Sequence, residues 1–374
     1  MPATLTLKKI PFFDYPAMFA PDEAEILRIV ADVGRRGAFI MQRDLEQFER
    51  NAADFVGASH ALGVGNATDG LLLALRAAGI GPGDEVIFSS HTMVATAAPI
   101  HFLGATPVPV ECGHDHLIDP AAVEAAVTSR TRVILPTQLN GRVCDMKSLQ
   151  SIADRHGLLI VEDAAQAFGA RYRGQAAGTF GVAGAISFYP AKTLGCLGDG
   201  GLVLTNDDDA YHLMRMYRDH GRDETGDVVA WCLNSRLDNL QAAILDYKLK
   251  SYEAAIERRR AIARIYDENL ASLDEIRLPP GPDADDERFD IFQNYEIEAE
   301  RRDALQTYLA EHEVGTLVQW GGKAVHQFRE LGLTATLPAT DKLFTRLLML
   351  PLHPALTDDD VHYVCEHVRR FYGC

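Results

Sequence analysis

Positive charge is scarce in this sequence. Its 374 residues carry 36 Lys and Arg against 53 Asp and Glu, a formal net charge of −17. A nucleic-acid partner needs a basic field for its phosphates, so the balance argues against that class. Any anionic substrate must then be met by local cations or backbone N–H groups, against the global sign. Cysteine is sparse as well. Cys112, Cys144, Cys196, Cys232, Cys365 and Cys374 form no CxxC pair and no zinc-ligand spacing. They read as reduced thiols of a cytoplasmic protein, not as a disulfide framework. No uninterrupted apolar run approaches the roughly 20 residues that span a bilayer. Lys8, Lys9 and Pro11 leave no room for a signal-peptide apolar region. Internal repeats and low-complexity tracts are also missing. The expectation is a soluble, intracellular protein with neither a membrane nor a nucleic acid as partner.

Apolar residues, at 47%, suffice for a sizeable core, and the length suits one large domain and a smaller one. Short apolar runs alternate with amphipathic ones from about residue 61 to 206. The spacing predicts strands at 61–65, 86–89, 106–110, 133–136, 158–162, 185–188 and 201–205. Helices are predicted at 70–78, 95–102, 120–126 and 146–156. Apolar strands separated by helices imply an α/β fold with a mostly parallel sheet covered on both faces. Ligands of such sheets bind beyond the carboxyl ends of the strands. A long helical stretch over 237–270 follows, in which the charged run 257–260 reads as a solvated face. Residues 278–287, rich in Pro, Gly and Asp, read as a loop. A strand at 295–298 and helices at 301–311 and 358–372 suggest a small α+β unit. The expected division is a large domain over 1–250 and a small one over 251–374.

Four segments carry chemistry. Gly65-Asn66-Ala67-Thr68-Asp69-Gly70 leads from a strand into an apolar helix, where free N–H groups and the helix dipole make an anion site. The Thr68 hydroxyl adds a donor. A dinucleotide fingerprint is the rival, but Thr68 stands at its third glycine, and no Gly-Lys-Ser/Thr follows to make a P-loop. A plain helix start capped by Thr68 or Asp69 is the bland alternative. Next, an apolar strand ends in Glu162-Asp163-Ala164-Ala165-Gln166. Pyridoxal phosphate (PLP) needs a carboxylate at its pyridine nitrogen to keep the ring an electron sink. Asp163 is the candidate, and Gln166 is placed to hydrogen-bond the phenolic oxygen. A magnesium carboxylate or a simple turn cap would read the same way. Third, Ser187-Phe188-Tyr189-Pro190-Ala191-Lys192-Thr193-Leu194-Gly195 brings a lone lysine into a small-residue loop between two apolar strands. A Schiff-base lysine needs such a dry setting to lower its pKa. A surface lysine is the usual alternative. Ser187 is a possible phosphate donor. Fourth, Asn234-Ser235-Arg236-Leu237-Asp238 reads only as a polar turn capping a helix.

Taken in chain order, with 81–86 and 92–96 added, these segments resemble the DegT/DnrJ/StrS family of PLP-dependent sugar aminotransferases, a branch of the fold-type-I enzymes. The similarity runs from Phe39-Ile40 to the last helix. The resemblance implies a large, mostly parallel seven-stranded domain and a small C-terminal one. It implies that Lys192 carries PLP and shuttles the proton, and that Asp163 pairs the pyridinium. Gln166 would contact the phenolic oxygen, and Ala67, Thr68 and Ser187 would hold the phosphate. Asn234 would reach the cofactor of a neighbouring subunit in an obligate homodimer. It implies L-glutamate, leaving as 2-oxoglutarate, as donor and a nucleotide diphosphate keto sugar as acceptor, in surface-glycan (O-antigen, lipopolysaccharide) or glycosylated-metabolite biosynthesis. Asn234–Asp238 and Gly198-Asp199-Gly200-Gly201 are more similar to members that aminate C3. The alternatives are amination at C4 and a PLP-dependent sugar dehydratase, whose lysine is replaced by histidine; Lys192 favours transamination. Three departures stand out. Met93 occupies the place of an aromatic on the pyridine face. Gln138-Leu139-Asn140-Gly141 and Gln319-Trp320-Gly321-Gly322 replace common segments near the expected acceptor pocket, where Trp320 is a candidate to cover an apolar sugar face and Arg236 a candidate local cation.

Overall fold

Seven short strands frame the molecule in the computed structural model, which describes residues 8–373; Cys374 and the first seven residues lie outside it. They are β1 (His60–Val64), β2 (Glu85–Ser89), β3 (Thr106–Val110), β4 (Thr131–Leu135), β5 (Leu159–Asp163), β6 (Ala183–Ser187) and β7 (Gly201–Thr205). The sheet order is β1-β7-β6-β5-β4-β2-β3. Strands β2 to β6 are parallel, and β7 is antiparallel to both β1 and β6. Each expected strand is present, its ends shifted by a residue or two.

The alternation of side chains along these strands decides which chemistry shares a face. Ile87, Ile134, Ile160, Ile186, Leu202 and Leu204 pack into one apolar layer. Their strand neighbours Val86, Phe88, Val133, Leu135, Val161, Ala185 and Val203 pack into the opposite layer, together with helices Ala67–Ala77 and Val94–Phe102. Neighbouring residues of a strand point to opposite faces. Both layers are dry, so a strand end carrying two polar residues must send one to each side.

Two sequence expectations are corrected. Helix Ala67–Ala77 is capped neither by Thr68 nor by Asp69: the Asn66 side chain accepts the Asp69 N–H at 2.8 Å, so the helix starts three residues before the expected Gly70. The stretch 237–270 is two helices, Asn239–Leu249 and Tyr252–Leu270. In the second, the run 257–260 is only in part a solvated face: Glu257 is exposed and Arg258 half-buried, but the two arginines that follow are not. Arg259 and Arg260 are only 1% and 6% exposed. Arg259 donates to the carbonyls of Phe292, Gln293 and Leu352, and Arg260 to those of Asp290 and Pro282. A guanidinium is buried cheaply when carbonyl oxygens replace its water shell.

Helix Tyr252–Leu270 also covers a second, antiparallel sheet of β8 (Ile276–Arg277), β9 (Tyr295–Ala299) and β10 (Leu347–Leu350), in the order β8-β9-β10. Ile262, Tyr266, Tyr295, Ile297, Leu305, Leu348 and Val364 form its apolar cluster, which includes Ile10 from the other end of the chain. Among the described residues no helix is long and apolar enough to cross a membrane.

Candidate active site

The carboxyl end of β5 separates its two acids. Glu162 follows the parity of Ile160. It is fully buried, and its carboxylate accepts from Gln138 Nε2 (2.6 Å), Gly178 N (2.9 Å) and Phe180 N (2.6 Å). Burial pushes its pKa up to about 7 against the pull of those three donors. Glu162 is therefore a structural pin. Gln138, tied to it and to the Cys144 N–H at 2.7 Å, lies in the core and not in a substrate pocket. Asp163 follows the parity of Val161 and emerges beside helix Val94–Phe102. Its Oδ2 accepts the Thr96 hydroxyl at 2.5 Å and its Oδ1 the Ala165 N–H at 3.1 Å. Burial raises its pKa, and these two donors and Lys192 oppose the rise.

Lys192 lies in the loop between the antiparallel β6 and β7. Two backbone bonds close the base of that loop: Phe188 N to Gly200 O (2.8 Å) and Cys196 N to Phe188 O (2.9 Å). Gln293, from the segment before β9, clamps both neighbours of the lysine. It accepts the Thr193 N–H and donates to the Ala191 carbonyl, each at 2.8 Å. The Thr193 hydroxyl meets Tyr252, whose own hydroxyl donates to Phe168 O, and Lys248 Nζ donates to Gly195 O. Against this network, Nζ of Lys192 has no hydrogen bond among the described residues. Desolvation lowers its pKa to about 8, with the Asp163 charge pulling the other way. An unpartnered amine facing a buried carboxylate is a nucleophile and proton carrier near neutral pH.

Ser187, at the end of β6, and the first turn of helix Ala67–Ala77 share the Asp163 face of the sheet. Asn66 caps only the third N–H of that turn, so the N–H groups of Ala67 and Thr68 remain without acceptors. Gly201 makes this approach possible: a Cβ there would lie 2.5 Å from the Asn66 carbonyl carbon. Ser235 joins the cradle from the 234–238 turn, accepting from Gly65 N (3.0 Å) and donating to Asp69 (2.6 Å). Gln166 accepts the Asn140 N–H through Oε1 at 2.7 Å, which leaves Nε2 as its free donor. Met93 and Asn234 are exposed, and the Asn234 side chain is unengaged. Arg236 is ion-paired to Asp219 at 3.0 Å.

A polar seam beside this site escaped sequence reasoning. Glu296 of β9 is buried and accepts from Asn140 Nδ2 (3.0 Å), Gln319 Nε2 (2.7 Å) and His116 (3.3 Å). His91 lies 3.6 Å away, but burial drives its pKa down to about 4, so the cation here is His116. His116 resists its own desolvation through Glu296 and Glu298, and its pKa rises to about 9. The half-buried Trp320 ring packs edge-on against His91 (5.5 Å) and beside Phe344. No local pattern marks Gln293, Thr96 or Glu296. A clue for Gln293 was its position just before a strand, but its partner lies 100 residues away in sequence.

Comparison with known proteins places the geometry in context. The sequence profile of the DegT/DnrJ/EryC1/StrS aminotransferase family matches residues 21–369. A dTDP-3-amino-3,4,6-trideoxy-alpha-D-glucose transaminase of Streptomyces venezuelae is 40% identical over 369 residues, covering 97% of this chain and 96% of that protein. A pleiotropic regulatory protein of Geobacillus stearothermophilus is 39% identical over 369 residues, covering 97% and 98%. Among solved structures, that of S. venezuelae DesV in complex with a ketimine intermediate superposes with a TM-score of 0.93 at 40% identity, covering 98% of this chain and 99% of that one.

Proposed function

The chain belongs to the DegT/DnrJ/EryC1/StrS aminotransferase family, whose members use PLP, and we propose that it moves the amino group of L-glutamate to C3 of a nucleotide-linked keto sugar. Its architecture is that of the fold-type-I PLP transferases. The observation that carries the proposal is that the Lys192 amine, which makes no hydrogen bond among the described residues, interacts electrostatically with the buried Asp163 carboxylate at the end of the neighbouring strand.

The residues present fit PLP. When bound, PLP supplies an electron sink that stabilises negative charge on the carbon bearing the transferred nitrogen. In this reading Lys192 would hold the cofactor, and its amine, when free, would carry a proton on Nζ to and from the carbon that bears the transferred nitrogen in each half of the reaction. Asp163 holds the proton on the pyridine nitrogen. Gln166 donates from Nε2 to the phenolic oxygen. Ala67 N, Thr68 N and the hydroxyls of Thr68 and Ser187 receive the phosphate at the helix N-terminus. Met93 covers one face of the ring with a soft, adaptable thioether. Asn234, exposed and unengaged in its own chain, serves the site of a second copy in a homodimer. The C3 assignment rests on the similarity to a named 3-amino-sugar transaminase and on the motifs at 198–201 and 234–238. The product would enter a surface glycan or a glycosylated metabolite.

The test runs the reaction in reverse, because 3-keto sugars are labile. Purified protein is offered 3-amino and 4-amino nucleotide sugars with 2-oxoglutarate, and glutamate is measured. Glutamate from the 3-amino compounds alone is the expected result. Turnover of only the 4-amino compounds overturns the C3 assignment. A protein that binds PLP, shown by its visible absorbance, yet turns over no amino sugar would fit a regulatory role like that named for the Geobacillus relative.

A further inference from the structure

Behind Asp163 stand three hydroxyls: Thr92 and Thr96, the ends of a segment that the resemblance marks without a role, and Thr137. Thr92, Thr96 and Thr137 are all buried. Thr96 Oγ1 lies 2.5 Å from Asp163 Oδ2, Thr92 Oγ1 lies 2.7 Å from Thr96 Oγ1, and Thr137 Oγ1 lies 2.9 Å from Thr92 Oγ1. Counting protons fixes the direction. An ionised carboxylate only accepts, so the single hydroxyl proton of Thr96 goes to Asp163. Thr92 must then donate to Thr96, and Thr137 to Thr92. The three residues come from three places: the loop after β2, helix Val94–Phe102 and the segment after β4. In series they lead, through Thr96, to the carboxylate oxygen that does not receive the Ala165 N–H.

We propose that Thr137, Thr92 and Thr96 form a one-way hydroxyl chain that orients Asp163 and keeps its carboxylate ionised, making them positioning residues for the carboxylate that faces the cofactor ring. This rests on the reading that Asp163 pairs the pyridine nitrogen. The physical need is plain. Burial alone favours the neutral acid, which could not hold a ring proton. A hydrogen bond to a charged group contributes more than a neutral one, and each hydroxyl upstream polarises the next. The effect should decay along the chain, greatest at Thr96 and least at Thr137.

The test uses Thr96→Val, Thr92→Val, Thr137→Val and the rescue variant Thr96→Ser, with Asp163→Asn as reference. In apoenzyme, infrared difference spectra against Asp163→Asn isolate the Asp163 carboxyl band. Thr96→Val is expected to keep the protonated-acid band to higher pH than wild type, with Thr96→Ser restoring the wild-type titration. In holoenzyme, kcat is expected to fall about tenfold for Thr96→Val, less for Thr92→Val and least for Thr137→Val, with KM for the amino sugar nearly unchanged. An unmoved Asp163 band in folded Thr96→Val overturns the proposal, as does a loss that Thr96→Ser fails to rescue. The underlying reading fails differently: Asp163→Asn would then turn over normally. Should Thr96→Val not fold, the Thr92→Val titration decides alone, with an upward shift supporting the chain and none refuting it.

Discussion

The loop around Lys192 and the seam around Glu296 lie close together and are built from the same materials: buried titratable side chains with strongly moved pKa values. They differ in what is left over. At Glu296 the carboxylate takes donors from Asn140, Gln319 and His116, and little capacity remains. Around Lys192 the Thr193 N–H and Ala191 carbonyl are held by Gln293, the Thr193 hydroxyl by Tyr252 and the Gly195 carbonyl by Lys248, while the amine itself has no hydrogen bond among the described residues. Glu162 and Asp163 repeat the contrast one residue apart. A perturbed pKa therefore does not mark catalysis by itself. A perturbed group whose surroundings are fixed and whose own reactive atom is free does so more sharply.

The comparison predicts unequal consequences. Lys192→Ala should cost more than about a thousandfold in turnover, the scale of lost covalent and proton-transfer catalysis. It should cost little stability, because the amine makes no hydrogen bond. Steady-state kinetics with a thermal melt checks both, and near-normal turnover would erase the distinction between the two regions. Gln293→Leu removes the clamp and leaves the lysine. We expect kcat to fall about tenfold, the scale of a mispositioned group, with borohydride still fixing a pyridoxyl group on Lys192. If the reduced peptide maps elsewhere, or kcat is unchanged, the clamp has no bearing on the lysine.

The smallest expected effect belongs to the seam and concerns stability. The folded pKa of His116 is about 9, above the ordinary 6.5. Its ion pair with Glu296 therefore contributes fully below pH 6.5 and is lost as pH rises through about 9. His116→Asn should destabilise the protein at pH 6 and converge with wild type by pH 10 in thermal melts. Half-buried Lys192, its pKa lowered from 10.5 to about 8, makes stability rise with pH between those values, but it is common to both proteins and cancels in the difference. A gap between the two melts that stays constant with pH would mean that His116 acts only by packing there.

Much of the site was legible because its chemistry is local. Lys192 announces itself between two apolar strands, and Asp163 by its place at the end of a third. The seven strands follow from alternation and turns, since short apolar runs flanked by Gly, Asp and Asn have few other ways to be buried. Other residues could not be read this way. Arg259 and Arg260 looked like solvent-facing charge, because nothing in a helix pattern shows that carbonyls of Phe292, Leu352 and Asp290 wait on the far side. The resemblance places the segment that begins at Gln138 near the acceptor pocket, and it could not show that Gln138 itself is a buried partner of Glu162.

By itself, then, the sequence determined the layered α/β fold and singled out the two residues on which the proposal turns, since both depend on short-range pattern and residue type, while the aminotransferase chemistry came from the resemblance of its ordered motifs to a family. Only the tertiary structure decided which acid faces the cofactor side, which groups are already satisfied, and what holds the reactive ones still. The physical reason is that satisfaction is a property of pairs. Thr96 and Asp163, or Gln293 and Lys192's neighbours, lie 67 and 100 residues apart in sequence. A hydrogen bond of that span leaves no trace in either residue's neighbourhood until the chain has folded around it.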